Sequence, residues 1–583
     1  MISGSNYYII VPEVVNVLNL EVTPYSESIC SQKLDNIKHQ VIGNPAVVEL
    51  LKDPIMIEDE KADVIMFFSM SNAKEKAKIF VQTGNNIETV WDSLVNILRN
   101  YSLINDIDLK WIKVDIVCKI DKLDSAELRD RIRSKNTNFY RKGISFDPKF
   151  KVALLEAELN SNKIINYKAD ELNIERLSKY LRKYREIELV NIPDLIYEFS
   201  TISFFVDENY NFYELYTDDL NFGRRKIGTP SKNDIYKIIE RSSAYLANNI
   251  DQEGKFTYGY FPTFDKIIEN YNILRHSGAL WSLLISYKIT NDPKLLESIR
   301  NGIRYLIQDG LVFKDHKTAY ILERKANEIK LGGNAIAIIL LISYMEDQKS
   351  DEYMNLVLCL GNGILELLSM DSGKYYHVLE YPGFVRKAEQ RTIYYDGEAT
   401  FALCKLFGIT KDQKWLLAAK TSLDYFIDNN YIKYVDHWVS YSVNEFTKHS
   451  PEDKYLEFGL KNVYENIEWI FSRPTTYHIY SELLMQGYEI FNRARRNEPD
   501  IPTQLEFDYE KLITAIKYRL SYSLNAFFYP EYAMYFKNPE RIVDSFFIRQ
   551  SSFRVRIDDI QHFLGGLCQY YFHYEDVNSK GLQ

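Results

Sequence analysis

The sequence predicts a multidomain α+β protein in which an N-terminal α/β-type domain precedes an all-α ring of helical hairpins, an (α/α)6 toroid. Strand-length runs are concentrated in the first ~220 residues, the apolar period becomes helical near residue 234, and a helix pair then repeats six times. A chain of 583 residues also exceeds a single domain of about 100–200 residues. We divide it into a domain at 1–220, a linker at 221–233 and a toroid at 234–583.

Composition excludes several classes of protein. Hydrophobic residues at 46% and charged residues at 26% are ordinary globular values, unlike those of disordered, collagen-like or coiled-coil chains. The formal net charge of −10 argues against non-specific nucleic-acid binding, which depends on neutralised phosphates. The five cysteines lie far apart and form no CxxC pair, which indicates reduced thiols and a cytoplasmic protein. We recognise no signal peptide, and no apolar run reaches the ~18 residues that span a bilayer.

Strand and helix signals are mixed in the N-terminal domain. We predict strands at the β-branched or aromatic runs Tyr7–Val11, Val64–Met70, Lys78–Gln82 and Trp111–Cys118. Apolar spacing predicts helices at Glu88–Arg99, Ala126–Arg133, Val152–Leu159 and Ile174–Tyr184. The segment Glu198–Tyr216 is typical of a hairpin that turns at Asp207–Asn211. We find neither a Gly-rich phosphate loop nor a nucleophile elbow in the sequence of the N-terminal domain, so its role is left open.

Two kinds of helix alternate in the second half of the chain. The first kind has one apolar stripe and many charges, and is predicted near 234–249, 293–308, 351–369, 412–428, 453–471 and 507–526. The second kind begins on a polar cluster and continues through small and apolar residues; its six copies begin near Arg275, Gly332, Tyr395, Asp436, Thr475 and Ile557. Helices that are apolar nearly all round belong inside, so six inner helices surrounded by six outer ones form a ring.

This part of the chain resembles the six-hairpin superfamily, which includes glycoside hydrolases, unsaturated glucuronyl hydrolases and sugar 2-epimerases. The resemblance covers about 350 residues and depends on the hairpin count and on phrases such as YYDGEATFAL, followed by the turn GITKDQKW. It implies a carbohydrate-active enzyme, although one fold hosts many reactions. Similar helical rings also occur in lanthionine cyclases, terpene cyclases and complement-like binding domains.

The inner helices of a toroid run parallel, so their polar N-termini share one mouth. Two catalytic mechanisms remain open there. In the first, Asp396 or Glu398 acts with Asp558 or Asp559 in glycoside hydrolysis. In the second, His276 and His437 face each other across the ring and act as acid and base in epimerisation. The alternative is structural, because Asp and Asn are good N-caps and buried histidines are common in cores.

The same mouth is predicted to bind the substrate. The candidate binding residues are Arg275, Asn334, Tyr395, Asp436, His478, Arg556 and His562. Lys and Arg residues precede most of the inner helices, and the mouth collects six positive helix-dipole ends, which favours an anionic ligand. The alternative is that these cations pair with nearby Asp and Glu residues.

The sequence therefore predicts a carbohydrate-active enzyme, of glycoside hydrolase or sugar epimerase type, that acts on a small anionic sugar. The alternative is a protein that tailors or binds peptides or natural products in the same mouth. His276, His437 and His562 could converge on zinc, but no HExxH motif or Cys/His spacing supports this, so we predict no metal and leave the question open. We expect no cofactor and no nucleic-acid or membrane partner. The oligomeric state is left open.

Overall fold

The structure is a computed structural model. The residues that it describes are 9–10, 34–35, 37–53, 55–57, 60–61, 63–105, 109–135, 139–189, 191–217, 220–388, 392–498 and 500–579. Cys30, Arg391 and most of the strand predicted at Tyr7–Val11 lie outside them.

The N-terminal unit is built on a seven-stranded antiparallel sheet. Its strands are β1 (Val64–Ser71), β2 (Lys78–Gly84), β3 (Trp111–Asp124), β4 (Gly143–Ser145), β5 (Ala153–Leu154), β6 (Leu195–Val206) and β7 (Phe212–Glu214). Their order is β2-β1-β3-β6-β4-β5, with β7 paired to β6. Every pair is antiparallel, so the unit is α+β rather than α/β with a parallel sheet.

Helices and short strands complete this unit. The helices are Pro45–Lys52, Ile87–Ile104, Ser125–Lys135, Glu156–Ser161 and Ile174–Tyr180. Two-residue strands pair Ile9–Ile10 with Glu188–Leu189, Met56–Ile57 with Glu60–Lys61, and Ile165–Asn166 with Glu171–Leu172. The hairpin prediction is confirmed. The helix predicted at Val152–Leu159 is wrong at its start, because Ala153 and Leu154 form β5.

Twelve helices form the six predicted hairpins. The outer helices 1 to 6 are Lys232–Asn248, Pro293–Tyr305, Met354–Glu366, Gln413–Asp428, Asp453–Tyr464 and Tyr509–Ser523. The inner helices 1 to 6 are Ile273–Thr290, Leu331–Gln348, Thr392–Thr410, His437–Phe446, Ile479–Asn497 and Ile557–Phe572. Inner helix 2 is buried from Leu331 to Met345 without a break, whereas outer helix 2 buries only Leu295, Ile299, Gly302 and Ile303.

Contacts between the inner helices close the ring. Each inner helix packs against the next in chain order, and inner helix 6 packs against inner helix 1. The strands β8 (Gly259–Phe261), β9 (Lys266–Ile267) and β15 (Val555–Arg556) form one small sheet, which ties the loop before inner helix 1 to the start of inner helix 6. A five-stranded sheet contains β10 (Leu311–Phe313), β11 (Ala319–Glu323), β12 (Glu328–Lys330), β13 (Val378–Glu380) and β14 (Val385–Ala388). The predicted toroid is thus confirmed.

The chain after outer helix 6 packs against the N-terminal sheet. Met534 and Tyr535 belong to the same apolar cluster as Phe67 and Phe199 of the sheet. Arg225, within the predicted linker, is buried and bonds to Glu531. The two units therefore share an apolar core and buried polar contacts. The remaining helices are Ile467–Ser472, Asp500–Gln504, Pro530–Ala533 and Tyr574–Asn578.

No described helix combines the length and apolar character needed to cross a membrane. Cys118, Cys359, Cys404 and Cys568 are free thiols, which agrees with the reduced state predicted for them.

Candidate functional site

A cavity of about 250 Å³ lies where five of the six inner helices begin. Inner helix 2 does not contribute to it. The lining residues are Asn272, Leu274, Arg275, Tyr394, Tyr395, Glu398, His437, Trp438, Tyr477, His478, Ile479, Ile548, Ser551, Arg554, Arg556, Asp558, Asp559, Gln561 and His562. Nine of the thirteen predicted site residues are among them: Arg275, Tyr395, Glu398, His437, His478, Arg556, Asp558, Asp559 and His562. The structure thus brings most of the candidate residues together at one mouth.

Two histidines and a glutamate form a compact cluster in the cavity wall. The ring centroids of His437 and His562 are 5.0 Å apart. Glu482, from inner helix 5, accepts a hydrogen bond from His562 Nδ1 at 2.7 Å, and its Oε2 lies 3.7 Å from His437 Nε2. The hydroxyl of Tyr441 donates to the other carboxylate oxygen of Glu482 at 3.0 Å. Glu482 therefore fixes the orientation of His562 and leaves its Nε2 for a ligand.

The two histidines have opposite pKa shifts. Burial lowers the pKa of His437 well below its usual value, and the nearby His562 and His478 act in the same direction. Burial alone would lower the pKa of His562 as well, but the Glu482 carboxylate, together with Asp558 and Asp559, outweighs burial and raises it. The cluster thus pairs an imidazole that is held neutral with one that is protonated more readily than a free histidine.

Arginines bind both aspartates of inner helix 6. Arg554 donates to both oxygens of Asp559, at 2.8 and 2.9 Å. Although burial opposes it, hydrogen bonds from His478 and Arg554 lower the pKa of Asp559 to about 2. Arg556 and Arg275 both bond to Asp558, through Nη2 at 2.6 Å and Nε at 2.7 Å respectively. Asp559 is therefore poorly suited to the role of a general acid, and arginine donors occupy the Asp558 carboxylate.

The predicted basic mouth is largely charge-balanced. Among the described residues, three arginines and three carboxylates line the cavity, and three minus three gives zero. Cations of the preceding loops have local partners too: Lys387 pairs with Glu328 at 2.9 Å, and Lys433 bonds to the Asn429 carbonyl at 3.2 Å. The alternative of local pairing therefore explains much of this cation pattern.

A strained residue borders the cavity. Tyr394 has φ +83° and ψ −54°, which is unfavourable for a residue with a side chain. Its backbone N–H donates to Asp436 Oδ2 at 2.8 Å, and the Trp438 N–H donates to Asp436 Oδ1 at 2.8 Å. Asp436 is thus the N-cap of inner helix 4 and an anchor for Tyr394, outside the cavity lining. Burial raises its pKa to about 7.

The structure corrects the expected positions of three other residues. His276 points away from His437, towards outer helix 2, where its Nε2 donates to the Gly302 carbonyl at 2.9 Å. Asp396 accepts hydrogen bonds from His377 Nε2 and the Tyr431 hydroxyl, both at 2.8 Å. Asn334 accepts from the Ile321 N–H at 2.6 Å. All three are buried and lie outside the cavity lining, because local hydrogen bonds hold them on other faces of their helices.

We predict that His276 makes the protein acid-sensitive. Burial lowers its pKa to about 4, from about 6.5 when unfolded, so the unfolded state binds more protons between these values. The neutral His276 makes its full contribution to the free energy of unfolding above pH 6.5. This contribution, about 3 kcal/mol, is lost as the pH falls towards 4. His276→Gln should therefore show a shallower fall in urea midpoint from pH 7 to 4 than the wild type. Parallel curves would contradict this assignment.

Sequence reasoning missed Glu482, Trp438 and Gln561. A signal for Glu482 existed, because it follows His478 by four residues on one helix and the two therefore lie on one helical face. Trp438 directly follows His437, and its ring packs against Trp281 at 5.8 Å beneath the cavity. Glu482 matters because its carboxylate orients His562.

The same cluster has the donor set of a metal site. The donor atoms of His437, Glu482 and His562 lie within 4.8 Å of one another, and two imidazoles with a carboxylate bind catalytic zinc in many proteins. Both His437 ring nitrogens are buried without a hydrogen-bond partner among the described residues. However, His562 Nδ1 donates to Glu482, and that nitrogen would have to lose its proton before it could itself coordinate a metal.

In comparisons with known proteins, this chain is similar only to solved structures. No family model and no curated protein matches the sequence. A D-mannose isomerase is 13% identical with a TM-score of 0.43, over 59% of this chain and 98% of that one. A cellobiose 2-epimerase from Bacillus thermoamylovorans is 11% identical with a TM-score of 0.41, over 51% and 87%. An α-1,6-mannanase variant from Salegentibacter sp., in complex with α-1,6-mannotetrose, is 11% identical with a TM-score of 0.40, over 58% and 99%.

Proposed function

We propose that this protein is a carbohydrate-active enzyme that moves a proton between neighbouring carbons of a sugar, as an isomerase or epimerase does. The observation that carries the proposal is the pair His437 and His562, which lie 5.0 Å apart in the cavity wall with opposite pKa shifts. Because its pKa is lowered, His437 is suited to act as the base, and because its pKa is raised, His562 is suited to act as the acid at the same pH.

The two histidines have complementary roles in the proposed reaction. Neutral His437 removes the proton from C2 of an open-chain aldose, while charged His562 donates a proton to the carbonyl oxygen O1, which gives an enediol. His437 then delivers its proton to C1, and His562 takes back the proton of O2 as the C2 carbonyl forms. The product is the 2-ketose, and both histidines return to their starting states without an oxidant or reductant.

The spacing of the rings favours proton transfer on one face of the sugar. A carbon atom between two rings needs about 3.5–4.0 Å to each, hence about 7–8 Å between the rings. The 5.0 Å between the His437 and His562 centroids leaves no room for a sugar between them. Isomerisation through a cis-enediol needs one face only, whereas two-base epimerisation needs both. Hydrolysis by Asp558 or Asp559 is disfavoured, because arginine donors occupy both carboxylates.

The cavity walls suit a small polyhydroxylated ligand. A volume of about 250 Å³ lies below the range of about 300–1,000 Å³ typical of drug-sized ligands. Tyr394 and Tyr477, whose hydroxyls lie 3.2 Å apart, offer rings for the apolar face of a sugar and hydroxyls for its edge. The three cavity arginines are paired with Asp558 and Asp559, so the proposal extends to neutral and anionic sugars alike, and uronates tested in parallel with neutral sugars distinguish the two.

Incubation with glucose, mannose, cellobiose and glucuronate in D2O tests the proposal. We expect at least one aldose to yield its 2-ketose and to gain deuterium at C1 or C2, measured by NMR. Release of reducing ends from oligosaccharides without exchange would instead establish hydrolysis. Stabilisation by acidic peptides and by no sugar would favour the peptide-binding alternative. Turnover should survive dialysis against EDTA. If dialysis abolished turnover and Zn²⁺ restored it, the reaction would be metal-assisted and the acid–base proposal would be wrong.

A further inference from the structure

A second cavity, of about 370 Å³, lies between the N-terminal sheet and the toroid. The loop between β1 and β2 and the segment at 183–184 form one side of it, and Asp265, Lys537 and Asn538 of the toroid form the other. The sugar-processing proposal uses none of its residues.

Lysines dominate the charge of this cavity. Lys76, Lys78, Lys183 and Lys537 line it, against the carboxylates of Glu75 and Asp265, so four minus two gives a formal charge of +2. Asp265 is already engaged, since it accepts a hydrogen bond from Asn538 Nδ2 at 2.6 Å and another from the Tyr260 hydroxyl.

Most of these lysines have no ion-pair partner among the residues that the structure describes. Lys78 lies 3.5 Å from Glu186, but within the described part of the chain no carboxylate lies within 4.0 Å of Lys76, Lys183 or Lys537. Lys76 Nζ bonds to Asn162 and lies 4.9 Å from the ring centroid of Tyr184. Burial lowers the pKa of Lys76 to about 7, against the pull of Glu158, and Lys537 and Lys183 add to the fall. Lys183 and Lys537 thus carry positive charge without a paired carboxylate in the described ranges, and an anion bound beside them would favour the charged form of Lys76.

We propose that this inter-domain cavity binds a small phosphate-bearing anion. A concave surface with several ammonium groups focuses positive potential and concentrates anions. Lysine acts as a point charge for phosphate, and a phosphate ligand with two or more charges matches the +2 of the cavity better than a single carboxylate does. The hydroxyls of Tyr101 and Tyr184 are further groups on the cavity wall that can donate to phosphate oxygens.

Titration calorimetry of the full chain with inorganic pyrophosphate tests this proposal. Pyrophosphate should bind with a dissociation constant below 1 mM in 50 mM NaCl, and more weakly in 300 mM NaCl because salt screens the site. Lys76→Gln and Lys183→Gln should each weaken binding at least fivefold. Lys76→Gln should melt no lower than the wild type, because it removes a poorly solvated charge.

The control is Lys74→Gln, an exposed lysine of the same loop that does not line the cavity. It should leave the dissociation constant within twofold of the wild type. The proposed site is wrong if pyrophosphate does not bind, or if the Lys76 and Lys183 variants bind it as tightly as the wild type does. Citrate that binds as tightly as pyrophosphate overturns the phosphate class. None of these outcomes depends on sugar turnover, so this proposal and the proposed function fail separately.

Discussion

Replacing His562 with glutamine is expected to lower turnover of the sugar by about a thousandfold, because a positioned acid–base group contributes about 10²–10⁴ to the rate. Glutamine keeps an N–H donor for Glu482 but cannot exchange a proton with the substrate. KM should change little, since many other groups line the cavity. Steady-state kinetics on the aldose identified by deuterium exchange, with a melting curve for each variant, measure this.

Glu482→Gln separates positioning from proton transfer. Glu482 raises the pKa of His562, and the acid must be protonated, so turnover falls as the pH rises through that pKa. Without the carboxylate the pKa of His562 drops, and the alkaline limb of the kcat profile should move to lower pH with about a hundredfold loss of kcat. A purely structural role would lower the melting point without moving that limb.

His573 provides a matched control on the same helix. It lies at the C-terminal end of inner helix 6 and, like His562, pairs with a glutamate, Glu489. It is not among the cavity-lining residues. His573→Gln should therefore keep turnover within twofold of the wild type. If the His573 and His562 variants lost turnover equally, the loss would reflect damage to the helix, and the acid–base assignment would be wrong.

The periodic part of the sequence was sufficient to predict the toroid. An inner helix such as Leu331–Gln348 must be apolar on every side, and an outer helix such as Pro293–Tyr305 needs only one stripe, so the alternation is visible without a structure. The N-terminal sheet was harder, because strand-length runs do not show whether their neighbours are parallel or antiparallel. The shared core between the units was not predicted either, since Met534 and Tyr535 belong to an aperiodic segment.

The direction of each side chain at the mouth could not be predicted from its nearness to a helix start. Successive residues of an α-helix are turned by about 100°. Arg275 therefore lines the cavity while His276 points towards outer helix 2. Glu398 faces the cavity and Asp396, two residues earlier, faces His377. Choosing between such neighbours needs the phase of the helix relative to the ring axis, which depends on packing and cannot be predicted from the local pattern.

Replacing Glu531 with glutamine is expected to destabilise the protein by about 3–5 kcal/mol, because removing one partner of a buried ion pair leaves an uncompensated charge. Arg225 Nε and Nη2 donate to the two Glu531 oxygens at 2.9 and 2.6 Å, and the Arg225 backbone N–H donates at 3.1 Å. The guanidinium also lies 3.9 Å from the ring centroid of Tyr213. Urea midpoints of the two proteins measure the loss.

Two further variants distinguish desolvation from a generic effect of losing a charge. Glu457 pairs with Lys461 on the protein surface, where an ion pair contributes about 0–1 kcal/mol, so Glu457→Gln should leave the urea midpoint nearly unchanged. The double variant Arg225→Met with Glu531→Leu removes both charges and should be more stable than Glu531→Gln alone, since apolar replacements of buried pairs are often neutral or stabilising. If the double variant were the less stable of the two, the loss of stability would come from the missing Arg225–Glu531 hydrogen bonds. The unpaired charge of Arg225 would then not be its cause.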